Sequence, residues 1–472
     1  MQRDTAPARI AVLDIGKSNL KLLVASDDGW PIETLSVPNA ATASGHYLAC
    51  DLAALEDWFL DALAAVARCH AIGAVVATAH GSGAVLVERE TAVLPMMDYE
   101  AVSPPEIDRA YQEQAPPYSE VFCPIGAGAM RLAKQLLWQQ TAFPAEFARA
   151  TAYLTTAQYV AMRLGGRKAS EISQLAAQGH IWDAVGQQPS SIMRRRGWDR
   201  LLPPRAVAGA VLGTVSEEVI RRTGLSPATE ILCGAHDSNA NLFRYKAAGM
   251  GEASILSTGT WMIGFQRGLD PVQLDGERAM VLNVDVDGDQ VPSTLTMTGR
   301  EYDLIRRDHR ADDAAVLAAI GKLAAQRTLA LPSFAGDDGL FPGAGGRGRI
   351  IGPAPQGPAE WQALAVLYAA FTASHCLDAL ASQGRVIIDG GFATNVPFAR
   401  TLAALRPGQR VSASRSRDGT ALGAALLWKR FSRATPVASV VLDDIVGLDG
   451  KEKRVALLDA YQSWIVQSEP PS

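Results

Sequence analysis

One pattern occurs twice in this chain, and it limits the architectures open to it. Ile10–Leu13 is apolar, Asp14 to Asn19 is polar and turn-like, and Leu20–Ala25 is apolar again. The same strand–turn–strand arrangement returns at Ala253 to Phe265, with Ser257-Thr258-Gly259-Thr260 at its tip. Two polar-tipped hairpins suggest a duplicated architecture in which each half offers one tip to a shared cleft. The length agrees: 472 residues with 48% hydrophobic content exceed one ordinary core, so two domains of roughly 200 residues each are expected. Residues 1–246 and 247–472 are the expected division, the second ending in a helical tail.

Between the hairpins, helical and strand signals alternate. Asp51 to Cys69 carries apolar residues at helical spacing, with Asp51 as its cap. Ile72 to Thr78 is short, apolar and β-branched, the signature of a buried strand. Residues 125–165 read as mostly helical, broken at Pro144. Residues 311–326 form an Ala/Leu-rich helix, 334–358 a loop dense in Gly and Pro, and 359–383 a long helix leading into the strand Arg385–Ile388. Glycines then open a helix from Asn395 to Leu405. Beyond 430 the pattern is weak, and Pro470-Pro471-Ser472 reads as a frayed end. The alternation argues an α/β fold.

Composition excludes several classes. The formal net charge is -5, and the one compact basic run, Arg194 to Arg196, reads as a solvated surface, so no nucleic-acid partner is expected. Five cysteines without a CxxC pair argue against a disulfide framework or zinc site and fit a reducing compartment. Met1 to Arg9 has no apolar core for a signal peptide, and no apolar run reaches membrane-spanning length. A cytoplasmic location and no membrane partner are expected.

Four motifs can carry chemistry. In Asp14-Ile15-Gly16-Lys17-Ser18-Asn19-Leu20-Lys21, a tight turn points several N–H groups one way, Gly16 and Ser18 suit phosphate, and Asp14 suits a hydrated Mg²⁺. An ordinary polar hairpin would use the same residues for turn geometry. Ser257 to Thr260 offers hydroxyls around a glycine for a second phosphate. Gly234-Ala235-His236-Asp237-Ser238-Asn239-Ala240 begins where an apolar strand ends, the edge at which open α/β sheets hold ligands. Asp237 there can accept a proton from a hydroxyl attacking a phosphoryl group, or cap the helix Asn239 to Lys246, and the two roles are compatible. Asp389-Gly390-Gly391-Phe392-Ala393-Thr394-Asn395 links a strand to a helix, and its paired glycines let backbone lie flat against a ring or phosphate. GxGxxG spacing and the Walker pattern are both absent.

In this order the four motifs resemble the FGGY carbohydrate kinase family, over roughly residues 9–428. That resemblance implies a two-lobed actin/hexokinase-like fold and an ATP- and Mg²⁺-dependent sugar kinase, in a family where homodimers are common. It assigns the first phosphate loop to Gly16, Ser18 and Lys21 with Asp14 toward the metal. The catalytic base is Asp237, and the second phosphate loop is Thr258, Gly259 and Thr260. Adenosine binding falls to Gly390, Gly391 and Asn395, followed by the Ala421–Ala425 helix. Lys17 departs from the small hydroxyl residue the family often has. The sugar side falls on Ala79-His80-Gly81 and Met96-Met97-Asp98. His80 is either a sugar contact or a loop histidine, and Asp98 either a sugar contact or a loop-stabilising carboxylate. Ser257-Thr258-Gly259-Thr260-Trp261 looks closest to the branch of L-rhamnulose and L-fuculose kinases, whose substrates are 6-deoxyketoses. Other sugars or polyols (D-xylulose, D-ribulose, glycerol, erythritol), a non-catalytic regulator on the same fold, and an ATPase of chaperone or actin type are the competing readings.

Overall fold

The computed structural model describes residues 8–416, 418–431 and 440–469. Its frame is two mixed sheets. The first contains β1 (Arg9–Ile15), β2 (Asn19–Ala25), β3 (Pro31–Pro38), β4 (Ile72–Ala79), β5 (Val211–Thr214) and β6 (Glu230–His236), in the order β5-β6-β4-β1-β2-β3. The second contains β7 (Ser254–Thr258), β8 (Met262–Phe265), β9 (Met280–Val284), β10 (Gln290–Thr296), β11 (Arg385–Gly390), β12 (Arg410–Ser414) and β13 (Leu442–Asp444), in the order β9-β10-β8-β7-β11-β12-β13.

The duplication expected from the hairpins is present in the pairing. β1 runs antiparallel to β2 and parallel to β4, β4 runs parallel to β6, and β2 runs antiparallel to β3. In the second sheet β7 runs antiparallel to β8 and parallel to β11, β11 runs parallel to β12, and β8 runs antiparallel to β10. Five strands therefore share one order and one set of directions in both halves. Both hairpins, read from apolar runs around a polar tip, form as expected.

Strand periodicity explains how the first sheet is covered on both faces. Ala11, Leu13 and Ile15 of β1 pack with Leu55, Phe59 and Leu63 of helix α1 (Leu52–Ala67). Ile10 and Val12, one residue out of phase, pack on the other side with Phe243, Ala421 and Ala425. The α1 cap is as expected: Asp51 accepts a hydrogen bond from Ala54 N at 3.0 Å. Two helices join the halves, α2 (Asp237–Ala247) after β6 and, at residues 419–425, a short one after β12. They approach so closely that a Cβ at Gly423 would lie 1.8 Å from Ala240 O. Residues beyond 419 thus return to the first sheet, where Trp428 Nε1 donates to Glu230 at 2.9 Å.

The second sheet is covered by α3 (Thr298–Arg306), α4 (Gly357–Ala379) and α5 (Val396–Leu405), packed in one apolar cluster with Ile388 and Leu256. One sequence expectation needs correction. The stretch 125–165 is not continuously helical. Between the helices Pro144–Arg149 and Thr156–Arg163 lies a strand, Ala152–Thr155, which pairs with Ala84–Glu88. Past 430 the expected helical tail is present. A helix spans Lys451–Ser468 and buries Leu457, Ala460, Tyr461 and Trp464, with Trp464 Nε1 donating to Ala330 O at 2.7 Å. Residues 470–472 and most of Met1 to Arg9 lie outside the described residues. Among the described residues no helix is long and apolar enough to cross a membrane.

Candidate active site

The two tips face one cavity of about 380 Å³. Lys17 and Ser18 line it from the first tip, and Ser257 to Trp261 from the second. His80, Gly81 and Ser82 follow β4 into it, and His236, Asp237 and Ser238 occupy the β6–α2 junction. Of the residues singled out from sequence, Ser18, His80, Asp237, Thr258, Gly259 and Thr260 line this cavity. Gly16, Asp14, Lys21, Asp98, Gly390, Gly391 and Asn395 are not among its lining residues.

Asp237 is the first residue of α2, not its cap. The cap position belongs to His236, so the helix begins two residues earlier than Asn239. One carboxylate oxygen is held in place. Asp237 Oδ1 accepts from Ser238 N at 2.5 Å and from Ser238 Oγ at 3.1 Å, and His236 Nε2 lies 3.3 Å away. His236 is buried, and burial pushes its pKa down, so the ring is neutral. Asn239 Nδ2 donates to its Nδ1 at 3.0 Å, which leaves the proton on Nε2, 3.3 Å from the carboxylate oxygen. Gly81 makes room for this ring: a Cβ there would lie 3.0 Å from His236 Nε2. Among the described residues nothing hydrogen-bonds Oδ2 of Asp237, so one oxygen is fixed and the other is open to a hydroxyl.

Three carboxylates gather behind the first tip. Burial and the charge of Asp237 push the Asp14 carboxyl up to about 7, with Asp418 adding to the shift and Lys21 opposing it. Lys21 Nζ is not free, since it bonds Asp418 Oδ1 at 2.6 Å. Mutually repelling carboxylates beside a phosphate-sized opening form a donor set that fits a hydrated Mg²⁺, which takes one or two carboxylates and keeps several waters. A second acidic group does not. Asp285, Asp287 and Asp289 converge, but Lys246 Nζ already lies 2.9, 2.5 and 2.8 Å from them.

The turn at the first tip is built by Gly16, whose N donates to Asn19 O at 3.0 Å, and is buttressed by Asn39, whose Nδ2 donates to Gly16 O at 2.8 Å. Lys17 bonds Asp98 Oδ2 and lies over the Tyr99 ring, 4.9 Å from its centroid. The other Asp98 oxygen accepts from Glu100 N at 2.8 Å. Both oxygens of Asp98 are thus engaged, and it does not line the cavity. The loop-stabilising reading of Asp98 is the one the geometry favours. His80 does line it, edge-on to Tyr99, and its buried Nδ1 has no hydrogen-bond partner among the described residues.

The second tip is held differently. Thr258 Oγ1 accepts from Phe392 N at 2.9 Å and donates to Asp389 O, so this hydroxyl ties the tip to the glycine turn and is not directed at a ligand. Gly259 and Thr260 are exposed and open to phosphate. Gly390 has φ +84, and a Cβ there would lie 2.0 Å from Thr258 O. Its glycine is required by backbone packing, whereas Gly391 leaves room for an approaching ligand. Asn395 caps α5, accepting from Phe398 N at 3.0 Å. Sequence reasoning missed Tyr99, Glu100, Arg300 and Asp418. They are ordinary loop and helix residues whose relevance depends on contacts far apart in the chain.

Comparison with known proteins agrees with this geometry. Residues 250–436 match the family described as Carbohydrate kinase FGGY, C-terminal domain. The solved structure of a carbohydrate kinase from Novosphingobium aromaticivorans is 30% identical, with a TM-score of 0.87 over 98% of this chain and 99% of that one. The xylulose kinase of Lactobacillus acidophilus shares the fold with a TM-score of 0.82 at 14% identity, over 98% of this chain and 97% of that one. The L-fuculokinase of Salmonella typhi is 26% identical over 270 residues, 54% of this chain and 55% of the relative. The chain spans about half the length of the curated relatives it matches.

Proposed function

The chain belongs to the FGGY carbohydrate kinase family, and from that premise we propose that it transfers the γ-phosphoryl group of MgATP to a hydroxyl of a small sugar. The observation that carries the reading is Asp237: a carboxylate with one oxygen held by two hydrogen bonds from Ser238 beside the His236 ring and the other open, in a cavity shared by two phosphate-type tips. The open oxygen accepts the proton of the sugar hydroxyl. The hydroxyl oxygen forms its bond to the γ-phosphorus as the bond from that phosphorus to the β–γ bridging oxygen breaks, and ADP leaves with that oxygen. The proton passes from Asp237 to solvent. His236 and Asn239 keep the carboxylate oriented throughout.

Such a reaction asks mainly for positioning and charge stabilisation. Exposed Ser18, Gly259 and Thr260 offer groups to the phosphates from both sides. Bound near Asp14, Mg²⁺ would supply charge neutralisation and orientation for the phosphate oxygens. Gly391 is the open approach for the adenosine end, with Gly390 and Asn395 shaping its wall. His80 presents a neutral ring to the sugar, because burial pushes its pKa down. In this reading residues 1–246 carry the sugar side and residues 247–472 the second tip and adenosine side. Closure of the two sides excludes water, the competing acceptor.

The substrate we propose is a 6-deoxyketose such as L-fuculose or L-rhamnulose. The L-fuculokinase relatives and the Ser257–Trp261 segment support it. The test is ADP release from MgATP against L-fuculose, L-rhamnulose, D-xylulose, D-ribulose, D-gluconate, glycerol and erythritol. Selective turnover with a deoxyketose supports the assignment. Selective turnover with another acceptor keeps the kinase and replaces the substrate.

A further inference from the structure

The cavity that holds Asp237 is also lined by Lys17 and Arg300, and these two cations reach it from opposite lobes. Lys17 belongs to the first tip. Arg300 lies in the first turn of α3, with its N–H donating to Thr260 O of the second tip at 3.2 Å. The approach is tight, since a Cβ at Gly299 would lie 1.8 Å from Gly259 O. Both cations meet one carboxylate. Glu100 Oε2 is 3.5 Å from Lys17 Nζ, and Glu100 Oε1 is 3.4 Å from Arg300 Nη2.

Asp98 and the Tyr99 ring hold Lys17 independently of Glu100. The packing of α3 on the second tip fixes the backbone at Arg300, while its guanidinium is 48% exposed and, among the described residues, pairs with Glu100. An ammonium has three donors and a guanidinium five, so both retain N–H groups for a further anion. The contacts to Glu100 are long, and the Glu100 side chain is 42% exposed, which is the kind of ion pair that exchanges readily. Two cations spaced to share one carboxylate are spaced to share one phosphoryl group, which presents similar paired oxygens with more charge.

We propose that Lys17 and Arg300 bind the terminal phosphoryl group of the nucleotide from opposite sides, and that Glu100 is the internal counter-ion this group displaces. The inference rests on the kinase reading and adds to it. It assigns a purpose to Lys17, the residue that departs from the usual first loop, and to Arg300, which has no sequence signature. It also makes the triphosphate, rather than the diphosphate, the species that draws the two tips together.

The test is binding, measured by calorimetry without sugar at fixed ionic strength. The probes are MgADP and the magnesium complex of the β,γ-imido analogue of ATP. Replacing Lys17→Met or Arg300→Met weakens the triphosphate analogue about tenfold, the scale of a lost charge-assisted contact, and changes MgADP less than about twofold. Glu100→Gln tightens the triphosphate analogue several-fold and leaves MgADP near its original affinity. Equal losses for both nucleotides in the Lys17 and Arg300 variants would overturn the proposal, as would unchanged or weaker triphosphate binding in Glu100→Gln. If the unmodified protein binds neither nucleotide, the kinase reading itself fails and this inference with it.

Discussion

The two hairpin tips come from strands of the same order and direction, yet they are held in opposite ways. The first is held by charge: Lys17 on Asp98 and Glu100, Lys21 on Asp418, and Asp14 raised to about 7 beside Asp237. The second carries no charged side chain from Ser257 to Trp261 and is held by close backbone approach, with Gly299 against Gly259, Gly390 against Thr258, and the Thr258 hydroxyl between two backbone groups. Ion pairs at part-exposed sites exchange with an incoming ligand at small cost, whereas backbone packing does not. A duplicated scaffold has thus produced one adjustable jaw and one fixed jaw around the same cavity.

This contrast can be broken or sharpened by mutation. The largest effect belongs to the residue both jaws serve: Asp237→Asn lowers turnover about a thousandfold, within the range of a lost general base, while calorimetry finds MgATP binding retained. Gly390→Ala attacks the fixed jaw, because both its φ of +84 and the 2.0 Å approach to Thr258 O exclude a Cβ. It destabilises the protein by about 3 kcal/mol in denaturant melts and weakens nucleotide binding. Thr258→Val leaves the Phe392 N–H without its acceptor and costs about 1–3 kcal/mol, read in the same melts. Lys21→Met attacks the adjustable jaw and, with the Lys21 and Asp418 side chains 23% and 29% exposed, shifts stability by less than about 1 kcal/mol. Its consequence appears in nucleotide affinity instead. Equal melting losses for Gly390→Ala and Lys21→Met would erase the distinction between the jaws.

How much of this was legible in the sequence follows the same line. Both hairpins were readable because short continuous apolar runs flank short polar turns, a purely local signal. The Asp51 cap and the strand carrying Asp14 were local as well. The strand Ala152–Thr155 was not, since Ala-Tyr-Leu-Thr between two helices has no pattern of its own and is completed by pairing with Ala84–Glu88. The helical tail was expected, and Leu457, Ala460, Tyr461 and Trp464, at helical spacing, are among the residues it buries. Within the site, the glycines and Asp237 stood out because their chemistry is rare at strand ends. Glu100, Arg300 and Asp418 did not, because an ion pair between residues hundreds of positions apart leaves no trace in either segment. Motif reading also could not show the structural work some site residues do: the Thr258 and Asn395 side chains both accept from backbone N–H groups.

The central claim is that the two jaws hold one phosphoryl group for delivery to a sugar rather than to water. Phosphorus-31 NMR of the purified protein with MgATP, in the presence and absence of the best acceptor, tests it most directly. The account predicts one sugar phosphate formed per ADP, almost no inorganic phosphate, and slow ADP release without the sugar. ADP and inorganic phosphate released in equal amounts, at a rate indifferent to any sugar, would contradict it.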